Sequence, residues 1–145
     1  MGLPPTNGLL MPKKAAAKKQ QRIEEEEDRD LEIEISFIEG VVKRDPEYVE
    51  ALEILSEDYS MRGDFEEGLK IDQKLANMLP SDPKILYNLA CRYSLTNHVR
   101  QAVTTLRKAI KCGFDDFRLL DRDPDLDNIR NSISYKKLKA NLPRR

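Results

Sequence analysis

One spacing recurs through the middle of this 145-residue chain and limits what it can fold into. Leu52 and Leu86 stand 34 residues apart, as do Leu55 and Leu89, Tyr59 and Tyr93, Gly63 and Asn97, and Leu75 and Ala109. The register extends backwards, from Pro46 to Pro80 and from Val41 to Leu75. Apolar, aromatic and turn positions therefore repeat together. A period of this length, with two helical stretches per unit, marks a stacked array of helix pairs. Each pair carries an apolar face that it cannot bury alone.

Within each unit apolar residues recur along one helix face, mostly at steps of three or four. They are Leu31, Ile35, Ile38, Val41 and Val42, then Leu52, Leu55 and Tyr59, then Leu69, Leu75 and Leu79. Leu86, Leu89 and Tyr93 follow, and a last set holds Ala102, Val103, Leu106, Ala109 and Ile110. Three Asp-Pro pairs, at 45–46, 82–83 and 123–124, punctuate these stretches. Proline disfavours helix in the residue before it and suits the first helical position behind an Asp cap. Gly63 and Asn97 tolerate the left-handed backbone that closes a helix, and Gly113 stops the last one. Asp64 and Glu67 form a D-x-x-E capping pattern.

Residues 1–30 have a different character. Pro4, Pro5, Gly8 and Pro12 keep the first dozen from regular structure. A basic block, Lys13, Lys14, Lys18, Lys19 and Arg22, precedes an acidic one, Glu24 to Glu27, Asp28 and Asp30. That order opposes the helix dipole, although the composition favours helix. No apolar stripe is present to dock it. Residues 1–30 therefore read as a charged, largely disordered, partly helical tail, with an electrostatic docking arm as the functional alternative. Met1-Gly2 with Thr6 fits a myristoylation pattern only formally. The folded domain is expected over 31–138, and a basic tail over 139–145.

Several function classes are disfavoured. With 25 Lys+Arg against 26 Asp+Glu, the net charge of −1 gives no basic field for nucleic acid. No apolar run approaches the roughly 18 residues of a membrane span, and Leu9-Leu10-Met11 is too short for a secretory signal. Cys91 and Cys112 form no CxxC, which suggests a reduced, cytoplasmic protein. The one histidine, His98, follows a turn, and no phosphate loop occurs. Asp123, Asp125 and Asp127 resemble the start of a calcium loop, but Asn128 and Ser134 stand where it needs Gly and Glu. No catalytic residue, metal or cofactor is expected.

The segments L-x-x-L-S-x-x-Y-S-x-x-G-D-F-x-x-G-L (52–69) and L-Y-N-L-A-x-x-Y-S-L-x-x-x-x-x-x-A-V (86–103) resemble tetratricopeptide repeats (TPRs). Residues 68–138, with YNLACRYSL, KAIKCGFDDF and RDPDLDNIR, are similar to the closing module of a group of bacterial TPR proteins. The resemblance implies an all-α, TPR-type antiparallel helix-pair mini-solenoid of about two and a half repeats with a C-terminal capping helix. It also implies a non-catalytic protein-binding scaffold. Residues 31–44 would close one end. Asp116–Leu138 would close the other through Phe117, Leu119, Leu120, Ile129, Tyr135 and Leu138. Two positions depart from the pattern, Gly68 and Asp72, where the next repeat has Ala102 and Leu106. Asp72 is then either exposed or a buried acceptor, with Arg92 a guess at its partner.

In the family, a peptide or partner helix lies on the concave surface lined by the first helix of each pair. Resemblance and helical spacing together place Glu50, Glu53, Glu57 and Ser60 there from the first full repeat. From the second come Lys84, Tyr87, Asn88, Cys91 and Ser94. The near half is acidic and the far half aromatic and polar. Family members that grip a C-terminal carboxylate carry Lys and Asn where this chain has Glu53 and Glu57. Three carboxylates repel an acidic peptide, so the expected ligand is a basic or neutral protein segment. No small molecule, nucleic acid or membrane is expected as a partner. The alternative is a structural or self-associating module. Its groove would be filled by another copy or by its own basic end, Lys136, Lys137, Lys139, Arg144 and Arg145.

Overall fold

The computed structural model describes residues 13–143, in which all regular structure is helical. The elements are α1 (Lys13–Arg44), α2 (Val49–Arg62), α3 (Phe65–Met78), α4 (Pro83–Leu95), α5 (Val99–Lys111), α6 (Phe117–Arg122) and α7 (Ile133–Ala140), with a 3₁₀ turn at Pro124–Leu126. Helices α2 and α3 form one pair and α4 and α5 the next; α3 packs on α4, and α1 on α2. This all-helical, repeat-like arrangement of pairs is consistent with a TPR-like fold. No helix among the described residues is long and apolar enough to cross a membrane.

The left-handed closures fall where the turn residues placed them, at Gly63 (φ 85°), Asn97 (φ 62°) and Gly113 (φ 115°). Asp82 caps α4 by accepting from the amides of Lys84 and Ile85. Asp123 accepts from the Asp125 amide, but it starts only the 3₁₀ turn, not a full helix. Two expected caps differ. Asp45 ends α1, its amide bonded to the Val41 carbonyl, and α2 begins three residues after Pro46 with Tyr48 as its N-cap. Asp64 does sit at the N-cap of α3, but its carboxylate makes no capping bond. Arg62 takes it instead at 2.6 Å while also reaching Glu32 of α1 at 3.0 Å.

The boundary expected at residue 30 lies inside one helix. Helix α1 runs unbroken for 32 residues, and the first dozen of the chain lie outside the described residues. Ala, Lys, Gln and Glu are strong helix formers, and their summed propensity outweighs a dipole effect felt only in the end turns. Side-chain bonds Gln20 to Glu24 and Gln21 to Glu25 brace successive turns. Docking does change near residue 30: Leu31, Ile35, Ile38 and Val42 pack on α2, while residues before them are almost all exposed.

Asp72 is a buried acceptor. Its carboxylate receives Arg92 Nε at 2.9 Å and the Ser56 hydroxyl, and both charged residues are 5% exposed or less. Arg92 also donates through Nη2 to the Ser56 carbonyl (3.0 Å) and through Nη1 to the Ser60 hydroxyl (2.5 Å). One guanidinium thereby joins α2, α3 and α4. The other departure, Gly68, makes room for it. A Cβ at residue 68 would stand 2.7 Å from Arg92 Cζ.

The C-terminal segment is stitched to the last pair. Leu120, Leu126 and Ile129 are fully buried, with Tyr135 and Leu138 beside them and Phe117 and Leu119 partly buried. Arg130 donates to the carbonyl of Leu120, and to that of Asp123, which also accepts from the Leu126 amide. The D-P-D-L-x-x-I-R run is thus a turn anchored by the buried Leu126 and Ile129, with its own arginine clasp.

Gly68→Ala gains helix propensity but must displace a guanidinium held by buried bonds. The net expected loss is about 1–3 kcal/mol in urea unfolding, where a free helical site would instead gain stability. Asp58 of α2 is buried, with Oδ2 unpaired. Burial, then the carboxylates of Glu34 and Glu57, push its pKa up. A folded pKa above the unfolded one means the protein loses stability as pH rises through the folded value. Asp58→Asn is therefore expected to raise the melting temperature at pH 7, with an advantage that shrinks towards pH 4. Melting curves at both values check this, and an advantage undiminished at pH 4 contradicts it.

Candidate functional site

A cavity of about 800 Å³ opens between α2 and α4, the first helices of the two full pairs. Eight of the nine groove residues expected from sequence line it: Glu50, Glu53, Glu57, Ser60, Lys84, Tyr87, Asn88 and Cys91. They come together because three- and four-residue steps on α2 and α4 aim one face of each helix into the same hollow. Glu50, Glu57, Lys84 and Asn88 line its more open side, and Glu53 is half-buried.

Ser94 is the exception and corrects that assignment. It is completely buried, and Asn128 Nδ2 donates to its carbonyl at 3.0 Å. Asn128 lies 34 residues further on, so the C-terminal segment continues the stack and covers the position that an open repeat would expose. Tyr87 and Cys91 form the wall rather than the open face, both about 6% exposed. The Tyr87 ring stacks on Phe114, with centroids 4.3 Å apart and planes within 6° of parallel. Its hydroxyl donates to Asp123 Oδ2 at 2.5 Å.

Sequence reasoning missed Asp123 and Asp125, which close the far end of the cavity, and Arg92, which floors it. The far half is therefore acidic too. Arg92 is neutralised by Asp72, which leaves, among the described residues, five carboxylates, Glu50, Glu53, Glu57, Asp123 and Asp125, against Lys84 alone. Partial burial, then the neighbouring Asp123 carboxylate, pushes the Asp125 pKa up. A cation brought into the cavity would relieve that repulsion. The signal for these two residues was the D-P-D run, whose local reading as a helix start concealed its place across from α4.

Cys91, Asp123 and Asp125 bring one donor atom each within 4.8 Å of one another. The set suits a metal poorly. Asp123 is already occupied on both oxygens, by the Tyr87 hydroxyl and the Asp125 amide. Burial, then Asp123, pushes the Cys91 thiol far up, away from the thiolate a metal needs. Asp127, the third acid of the calcium-like spacing, pairs with Arg130 instead of converging on the other two.

The described part of the basic end lies away from the groove. Lys136, Lys137 and Lys139 lie in α7, which packs against α5. Lys139 pairs with Asp121 at 2.6 Å. Arg144 and Arg145 lie outside the described residues.

No protein-family model matches the chain. A chloroplastic protein of Arabidopsis thaliana is 32% identical to it over 83 residues. The match takes in 55% of this chain but only 25% of the relative's length. The relative is from a plant, not from the bacterial group expected from the pattern of residues 68–138.

The two free cysteines offer a check on the wall of the cavity. Cys91 is buried, with its thiol held protonated, and Cys112 is half-buried at the end of α5. Thiol titration of the native protein is expected to give one fast and one slow reaction, with mass spectrometry placing the fast label on Cys112. Early labelling of Cys91 would show that the wall opens.

Proposed function

We propose that the chain is a TPR mini-solenoid whose acidic concave groove binds a basic segment of another protein, without catalysis. The observation that carries this reading is the set of five carboxylates around one cavity with Lys84, among the described residues, as the one lining cation not already neutralised within it. An extended or helical peptide with Lys or Arg at intervals fits the charge and the open shape of such a groove. An acidic tail would be repelled along its whole length. The compartment proposed is a reducing one, which suits two free thiols. Cytoplasm is the plain expectation, and the chloroplastic relative makes the chloroplast the compartment to test beside it.

The test is a binding titration with fluorescein-labelled peptides, one Lys/Arg-rich and one Glu-rich of equal length. The basic peptide is expected to bind wild type and to weaken as salt rises, because exposed charges are screened. Glu53→Lys/Glu57→Lys is expected to weaken it at least about tenfold, the scale of reversing charges at an interface. Both positions avoid the buried wall, so circular dichroism should stay unchanged. Equal binding of the two peptides, or indifference to the double variant, rejects the groove.

A further inference from the structure

Helix α1 has a second face that nothing among the described residues covers. Its docked face packs on α2 through Leu31, Ile35, Ile38 and Val42. On the opposite side Ile33 and Phe37 are 68% and 69% exposed, one helical turn apart. By the 34-residue register Phe37 matches Ile71 of α3, which packs into the core beside α2. Among the described residues α1 has no first helix of its own pair, so Phe37 meets solvent instead.

The uncovered face follows a regular course. Glu26, Asp30, Ile33, Phe37, Gly40 and Arg44 stand at alternating steps of four and three, the spacing of a coiled-coil seam. Its chemistry complements itself when reversed: acid at one end, two large apolar residues at the centre, base at the other end. Glu26 and Arg44 are five helical turns apart, so both point in the same direction.

We infer that α1 pairs with α1 of a second copy, antiparallel, about a two-fold axis passing between Ile33 and Phe37. Such an axis makes every contact occur twice. Ile33 of one copy then faces Phe37 of the other, and Glu26 faces Arg44. Asp30 falls opposite Gly40, where a Cβ would meet nothing within 4 Å and the backbone leaves room for close approach. A second copy is the occupant this order of residues selects, because an unrelated helix would not need the acid and the base to be spaced equally about the apolar centre. The seam spans about 27 Å of helix. A seam of six residues a side, with two large apolar ones at its centre, is small for a specific interface and so forms a reversible, concentration-dependent dimer.

Sedimentation velocity of the full chain over a rising concentration series tests this. Wild type is expected to move from the 16.8 kDa chain towards twice that mass. Phe37→Glu is expected to weaken the dimer about 100-fold, as loss of a central apolar anchor does, with helical circular dichroism unchanged. Glu26→Arg and Arg44→Glu should each weaken it roughly tenfold by placing like charges opposite one another. The double variant Glu26→Arg/Arg44→Glu should restore wild-type affinity, because the pair is rebuilt with its signs exchanged. A wild type that stays at 16.8 kDa throughout overturns the inference. So does a dimer indifferent to Phe37→Glu, or a double variant as weak as the single ones.

Discussion

The buried guanidinium of Arg92 is the point through which the two helix pairs are held in one geometry. It rises from α4, takes the Asp72 carboxylate of α3 and reaches the Ser56 carbonyl and the Ser60 hydroxyl of α2. Two charges removed from water carry a desolvation cost that good geometry offsets, and these two have both good geometry and further hydrogen bonds. Losing either partner would leave an uncompensated buried charge, at about 3–5 kcal/mol. The same bonds require glycine at position 68, since a side chain there would occupy the space of the guanidinium. Two apparent departures from the repeat pattern, Gly68 and Asp72, thus have one cause.

That interaction also decides the electrostatics of the groove. Arg92 lies at the floor of the cavity, yet its charge is consumed by Asp72, so it does not balance the rim. Glu50, Glu53 and Glu57 come from α2, and Asp123 and Asp125 arrive from the C-terminal segment at the far end. The closing segment therefore does two jobs. It buries the last apolar face through Leu120, Leu126 and Ile129, and it extends the acidic surface past α4. Tyr87 couples the two, with its ring on Phe114 and its hydroxyl on Asp123.

Helix α1 shows how propensity and packing divide the work. Its first half is helical because its residues favour helix and brace one another, and it buries almost nothing. Its second half packs on α2, while presenting Ile33 and Phe37 to solvent. The change of sequence pattern near residue 30 accompanies a change of contact but not of backbone, since a continuous helix can pass from solvent into a domain without a break.

The repeat, its helices and its left-handed closures were determined by the sequence alone. A 34-residue register and residues such as Gly63, Asn97 and Asp82 act through the local backbone, whose preferences are set by the nearest few residues. Most of one groove face was legible for the same reason, because helical spacing tells which side chains of α2 and α4 share a direction. Tertiary structure alone decided the partner of Asp72, the burial of Ser94 and the arrival of Asp123 and Asp125 beside Tyr87. Those contacts join residues 20 to 36 positions apart across different elements. Their formation depends on how whole helices pack, which local spacing does not encode.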